Sequence, residues 1–343
     1  MPNNYKTKIP EIDDKISSLV NSHFSLKDSD LVRQMFTTIA KIALESSDTG
    51  EIKLINSNIK ELRYAFQIFS VYRKTRKVVI FGSSRISENE IEYQMAEEFA
   101  RKITQKGFMV ITGAGDGIME AGNKGAGREN SFGVNILLPM VQKPNKFILD
   151  DRLINFKYFF TRKLVFLKES DATVLLPGGF GTLDEAAEGL TLMQTGKTKP
   201  RPIIFLESEK SNFWDDWNNF IKNKLLKKKY ISKDDISLFQ VVNSIDQAIE
   251  EIENFYSTYH SIRYVKDKTV LRLKKPLHEE VLKELNKTFK DILTHGTIAA
   301  GTPLKDEVEN NEYLDLPRLI MSFNRNNFGR LMELIRFINR NAV

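Results

Sequence analysis

Three short apolar runs in this chain each end in a glycine turn and give way to a helical segment, an alternation that restricts the fold more than any other feature. The runs are residues 78–81, 108–111 and 172–176. The turns are Gly82-Ser83-Ser84, Gly113-Ala114-Gly115-Asp116-Gly117 and Gly178-Gly179-Phe180-Gly181-Thr182. Apolar runs of this length read as buried strands. Further strands are expected over 133–137, closed by Pro139, and over 202–206. Helices are expected over 88–106, 118–126, 158–168, 214–226 and 245–256, and from Thr182 onward. Strands alternating with helices imply an α/β fold, a Rossmann-like doubly wound parallel sheet with helices on both faces. Ligands of such sheets bind beyond the C-terminal ends of the strands, where all three glycine turns fall.

The third turn carries the most chemistry. Strand, glycine turn and helix N-terminus form an anion site, because free backbone N–H groups and the helix dipole converge there. Asp184, Glu185 and Glu188 follow at once, and a simple phosphate pocket has no need of them. Glu185 and Glu188, at i and i+3, share a helix face. Compensation of the helix dipole accounts for Asp184 well. For Glu185 and Glu188 the alternative is stabilisation of an oxocarbenium-like ribose and orientation of an attacking water, roles that carboxylates fill in glycoside cleavage. Arg162 and Lys163 follow Phe159-Phe160-Thr161 on the preceding helix. They are either its exposed basic edge or, for Arg162, a guanidinium that forks onto a phosphate or a ring nitrogen. At the first turn, Gly82 and Ser83 offer N–H groups and a hydroxyl. The second offers bare backbone at Gly113 and Gly115, which a flat base or a ribose approaches closely, and Glu120 after it is placed to position either. Neither the dinucleotide fingerprint nor the P-loop fits these turns.

Composition narrows the class further. The chain has 343 residues and no cysteine. Disulfides, thiolate catalysis and cysteine zinc sites are thereby excluded, and a cytoplasmic location is expected. No run of about 18 apolar residues suggests a membrane span, and the first residues lack the apolar core of a secretory signal. His23, His260, His278 and His295 have no metal-ligand spacing, so no metal site is expected. The net charge of +6 is diffuse. Its densest patch, Lys222, Lys224, Lys227, Lys228 and Lys229, reads as the solvated end of a helix rather than a nucleic-acid surface.

Three regions are expected. Residues 1–75 form a helical extension: Leu31, Met35, Ile39 and Ile42 share one helix face, with Asp28, Ser29 and Asp30 as caps, and Ile59, Leu62, Phe66 and Phe69 repeat the pattern. Residues 76–260 form the Rossmann-like catalytic domain. Residues 261–343 read as βαββα, with strands over 263–273, 296–300 and 316–323, helices over 277–293 and 328–338, and an acidic loop over 306–312. That order suggests a small α+β module of ACT or ferredoxin-like type, without an evident last strand, in a regulatory or dimerisation role.

These motifs resemble the LOG (LONELY GUY) family of phosphoribohydrolases, long labelled "lysine decarboxylase". The family signature Pro-Gly-Gly-x-Gly-Thr-x-x-Glu is matched from Pro177 to Glu185 at every fixed position. The upstream Arg-Lys pair is matched by Arg162-Lys163, and the first turn by Gly82-Ser83-Ser84; Gln194-Thr195-Gly196 and Lys199-Pro200 resemble the segment after the signature. The likeness spans residues 77–210. It implies hydrolysis of the N-glycosidic bond of a nucleoside 5′-monophosphate, giving free base and ribose 5-phosphate, without metal or organic cofactor. It implies catalytic roles for Arg162 and Glu185, a phosphate held by Gly178, Gly179, Gly181 and Thr182 with Ser83 nearby, and supporting substrate-side roles for Lys163 and Glu188. It also implies a homodimer or higher homo-oligomer. The added segments at both ends resemble the longer bacterial members labelled AMP nucleosidase, so AMP or a related purine or cytokinin nucleotide is the expected substrate. The competing expectation is a nucleotide or molybdenum-cofactor carrier on the same fold. A carrier needs the glycine turns but not Arg162 and Glu185, and that pair favours the enzyme. Amino-acid decarboxylation needs a Schiff-base lysine, and no lysine stands in a recognisable setting for one.

Overall fold

The computed structural model describes residues 5–24, 29–45, 48–138 and 143–342; the expected cap Asp28 and the strand-closing Pro139 lie outside the described residues. The chain divides into two compact units, Met1–Arg63 and Tyr64–Val343. The first is helical, with α1 (Pro10–His23), α2 (Ser29–Glu45) and most of α3 (Thr49–Ser70). Pro10 opens α1 where its missing N–H forfeits no intrahelical bond. The Phe24 and Phe36 rings lie 6.3 Å apart where α1 meets α2.

The second unit is built on a parallel sheet. In chain order its elements are β1 (Lys77–Phe81), α4 (Ile91–Gln105), β2 (Met109–Thr112), α5 (Ile118–Ala126), β3 (Ser131–Ile136), β4 (Leu153–Phe156), α6 (Phe159–Glu169), β5 (Ala172–Leu175), α7 (Phe180–Gln194), β6 (Ile203–Leu206), α8 (Phe213–Phe220), β7 (Gln240–Val242) and α9 (Ile245–Phe255). The strand order is β4-β3-β2-β1-β5-β6-β7. Central strands such as β1 and β5 are mostly apolar and buried on both faces, with only Phe81 at the end of β1 half-buried, as a parallel sheet covered by helices requires. The apolar runs do not reveal β4 and β7. Both are short edge strands carrying a polar residue, Asn155 or Gln240, and Asn135 of β3 donates across to Asn155 at 2.8 Å. The strand order reverses between β1 and β5, which lie side by side. Such a reversal opens a crevice at the C-terminal strand ends; the first and third glycine turns leave from this point.

A second, antiparallel sheet completes the unit. Its elements are β8 (Tyr259–Val265), β9 (Lys268–Leu273), α10 (Glu279–Thr288), β10 (Leu293–Gly301), α11 (Lys305–Glu309), β11 (Arg318–Phe323) and α12 (Phe328–Asn341), with strand order β10-β11-β9-β8. The single strand expected over 263–273 is in fact a hairpin. The chain reverses at Lys266-Asp267, with Lys266 at φ 53°. Hairpin turns of that conformation favour Asn or Gly, so a Lys-Asp turn gives little warning in the sequence. The hairpin supplies the missing strand, and the connectivity is ββαββα, a ferredoxin-like sheet begun from a different strand. The expected acidic loop over 306–312 begins as α11. Leu331, Leu334, Ile335 and Ile338 of α12 are buried in a core shared by both sheets. Among the described residues no helix is long and apolar enough to cross a membrane.

Candidate active site

The three glycine turns are bonded into one surface. The Ser83 N–H donates to the Pro177 carbonyl at 3.1 Å, and the Ile118 N–H donates to the Ser83 carbonyl at 3.0 Å. Thus the first turn is pinned to the third on one side and to the start of α5 on the other. Gly178 is glycine because of this closeness: a Cβ there would overlap the Thr182 hydroxyl and stand 2.9 Å from Ser83 N. By contrast, the positions above Gly179 and Gly181 are open space. Phe180 and Gly181 begin α7, so their N–H groups have no intrahelical acceptor. Together with the α7 dipole they have the arrangement of an anion cradle. Thr182 is buried beneath it.

Arg162 lies on α6, in the wall of this crevice. Its Nε donates to the Val134 carbonyl at 2.8 Å, and its Nη2 lies 3.4 Å from the Gly113 carbonyl. The Phe166 ring packs 5.0 Å from the guanidinium carbon. Burial lowers its pKa to about 10, with the charge of Glu185 working against the fall. The group therefore stays cationic at neutral pH while largely stripped of water, a state in which its field is strong.

Glu185 sits one turn into α7 with a side chain only 11% exposed. Burial pushes its carboxyl up to about 7, against the opposing charge of Lys163; Glu188 and Asp184 raise it further and Arg162 lowers it. Lys163, the next residue after Arg162, holds the carboxylates of α7 together. Its Nζ is 2.8 Å from Asp184, 2.7 Å from Glu188 and 3.6 Å from Glu185. Burial lowers the Lys163 pKa, but the hydrogen bonds to Asp184 and Glu188 outweigh it and the net shift is upward. Two cations thus face three carboxylates, and the most buried carboxylate takes the strain by holding its proton near neutrality.

Of the residues singled out in the sequence, the fold brings together Gly82, Ser83, Gly113, Lys163, Arg162, Gly178, Gly179, Gly181, Thr182, Glu185 and Glu188. Gly115 is buried within the second turn. Glu120 stands apart, in the first turn of α5 near Tyr93, whose phenol is pushed up to about 12 mainly by burial and then by the Glu120 charge. Among the described residues no hydrogen bond or ion pair ties Glu120 to Arg162 or Glu185. Two participants left no sequence signal. The Val134 carbonyl is one, since every residue has a carbonyl. Asn145 is the other; it reaches the second turn from a distant segment. A cleft of about 420 Å³ in the same unit lies at the β7 edge, lined by Gln240, Gln247, Glu250 and Arg340, and shares none of these residues. Among the described residues no group of three His, Asp or Glu side chains is arranged to hold a metal ion.

Residues 112–252 match the family model described as "possible lysine decarboxylase". An uncharacterized protein of Archaeoglobus fulgidus is 30% identical over 117 residues, which cover 34% of this chain and 75% of the relative. The X-ray structure of TM1055 is 25% identical, with a TM-score of 0.38 over 52% of this chain and 98% of that one. The molybdenum cofactor binding protein of Rippkaea orientalis is 18% identical, with a TM-score of 0.38 over 52% of this chain and 96% of that one.

Proposed function

Because the chain belongs to the LOG family, whose function is nucleotide-related, we propose that it hydrolyses the N-glycosidic bond of a nucleoside 5′-monophosphate, AMP or a related purine nucleotide. The carrying observation is the pair Arg162 and Glu185: both are desolvated, each feels the other's charge, and they stand beside an anion cradle. In the proposed reaction the 5′-phosphate rests on the N–H groups at Phe180 and Gly181. The C1′–N bond breaks and its electron pair leaves with the base, which takes up a proton from solvent, balanced when Glu185 releases to solvent the one it receives. Arg162 offsets the negative charge on the departing base. Glu185, as the carboxylate, stabilises the cationic ribose and accepts a proton from the water that adds to C1′. A carboxyl poised near pH 7 suits a general base.

Decarboxylation fits the residues less well. A Schiff-base lysine acts as a neutral amine, and enzymes lower its pKa to obtain one. Lys163, the lysine of this crevice, is instead held charged by its carboxylates. Lys77, whose pKa burial lowers, spends its amine on the Tyr72 and Thr75 carbonyls at the start of β1. The proposal includes a homodimer working in the cytoplasm: Phe159, Phe160 and Leu164 of α6, and Phe180 of the cradle, are exposed apolar side chains of the kind that mark protein contacts.

Incubation with AMP, CMP and an N6-modified AMP, followed by chromatography for free base, tests the reading. Base release from at least one nucleotide is expected. A folded protein that releases none overturns the enzyme, and tight binding without release turns the reading to a carrier.

A further inference from the structure

The second glycine turn is held by a buried chain of polar side chains that touches neither the anion cradle nor Glu185. The Ala114 N–H donates to the Thr112 hydroxyl at 3.0 Å. That hydroxyl donates to Asn123 Oδ1 at 2.6 Å, and the same oxygen accepts from Asn145 Nδ2 at 3.0 Å. Asn145 Nδ2 also donates to the Gly115 carbonyl at 3.1 Å, while the Asn145 backbone N–H donates to the Ala114 carbonyl at 2.8 Å. Three segments are joined in this way: the end of β2, the middle of α5 and the stretch before β4. All three side chains are buried, Thr112 and Asn123 completely.

Such a network has a local task. Ala114 sits at φ 66°, in the left-handed region that L-residues seldom adopt. The hydrogen bonds on both sides of its peptide units keep it there. The consequence reaches Arg162. The turn presents the Gly113 carbonyl, one of two anchors for the guanidinium, and the bare Cα against which Nη2 lies. The other anchor, the Val134 carbonyl, belongs to β3. If the turn relaxes out of its left-handed kink, the first anchor and the space beside it are lost together.

We propose that Asn145, Asn123 and Thr112 are positioning residues that act through Arg162, fixing its guanidinium for the departing base without touching the nucleotide. The proposal rests on the phosphoribohydrolase reading for its kinetic consequence, but its geometric content stands without it.

The test uses the full-length protein and the variants Asn145→Ala, Thr112→Val and Thr112→Ser. Its first readout is the rate at which phenylglyoxal modifies Arg162, followed by peptide mass spectrometry. Wild type and Thr112→Ser, which keeps the hydroxyl, should react slowly. Asn145→Ala and Thr112→Val should react several-fold faster. The second readout is steady-state turnover of whichever nucleotide wild type cleaves. In Asn145→Ala and Thr112→Val, kcat should fall about 10- to 100-fold, the scale expected for a misplaced catalytic group, with KM within about threefold. In an Arg162→Lys background, adding Asn145→Ala should lower kcat no further. If Asn145→Ala does not fold, Thr112→Val, close in volume, carries the test. Unchanged labelling of Arg162 in destabilised variants overturns the positioning role and leaves a structural one. So does an equal loss of kcat in the Arg162→Lys background. If wild type cleaves no nucleotide, the function proposed above fails, and the labelling rates still decide this inference.

Discussion

A Cβ on Gly113 would overlap the Nη2 atom of Arg162 and stand 2.6 Å from the Met119 sulfur. The glycine and the arginine are therefore one fitted pair, although one belongs to the turn after β2 and the other to helix α6. Gly113→Ala adds a single methyl group and forces no unusual backbone angle, so its effect is steric. The atoms it strikes are the ends of two flexible side chains, which move at modest expense. Stability should fall by about 1–3 kcal/mol, the usual scale of overpacking. Turnover should fall further, about 100-fold, because a displacement of about 1 Å is enough to disable an oriented group. Thermal melts and kcat measured on the same preparation check this. A variant that loses stability but keeps its rate would separate Gly113 from the chemistry.

The burial of Glu185 sets a pH dependence of known sign. Its folded pKa, about 7, lies above the ordinary value of 4.5. Between those values the unfolded chain has released a proton that the folded chain retains, so the contribution to stability falls as pH rises through that window. Glu185→Gln removes the penalty. The variant should match wild type below about pH 4.5 and exceed it by about 3 kcal/mol at pH 8. The kcat/KM of wild type should fall as pH drops through about 7, as the carboxylate is lost, and Glu185→Gln should show no turnover at any pH. Denaturant midpoints across pH and a pH–rate profile give both readings.

Lys163 tunes this carboxyl, since its amine 3.6 Å away is the largest influence opposing burial. Lys163→Met should raise the Glu185 pKa and move the acidic limb of kcat/KM to higher pH by about one unit. It also leaves Asp184, Glu185 and Glu188 facing one another without their shared cation, so the melting temperature should drop at pH 8 and recover at low pH. Lys163→Arg retains the charge and should leave the limb in place. An unmoved limb in Lys163→Met would mean that another group sets the profile.

The legible parts of this fold share one physical property: they are local. The runs forming β1, β2 and β5 are apolar because parallel strands are buried on both faces, and the turns after them need glycine for close approach. Pro177 to Glu185 sets strand end, cradle and carboxylate within a single segment. The edge strands β4 and β7 are hidden because an edge tolerates Asn155 and Gln240. The β8–β9 reversal is hidden because Lys266 takes a conformation usually left to glycine or asparagine. Least legible is the environment of Arg162. The acceptor at Val134 is backbone, and Asn145 reaches the second turn from beyond β3. Such contacts exist only once the chain has closed, so spacing cannot announce them.

The antiparallel sheet offers the sharpest test of stability. Glu307 of α11 is fully buried between two buried arginines: its carboxylate accepts from Arg272 Nε at 2.9 Å and lies 3.6 Å from Arg318 Nε. It also caps its own helix, accepting from the Leu304 N–H at 3.1 Å. Glu312 shares Arg272 at 2.9 Å and also pairs with Arg263. Glu307→Gln leaves the shape intact but takes the carboxylate from two buried guanidinium groups, leaving Arg272 with Glu312 and Arg318 with the Tyr313 carbonyl. Breaking a buried ion pair from one side costs about 3–5 kcal/mol, whereas replacing all its members by apolar groups is often neutral or better. Glu307→Gln should therefore lower the urea midpoint strongly, and the triple variant Arg272→Met, Glu307→Leu, Arg318→Met should recover much of the loss. If the single and triple variants unfold alike, the cluster contributes through shape rather than charge.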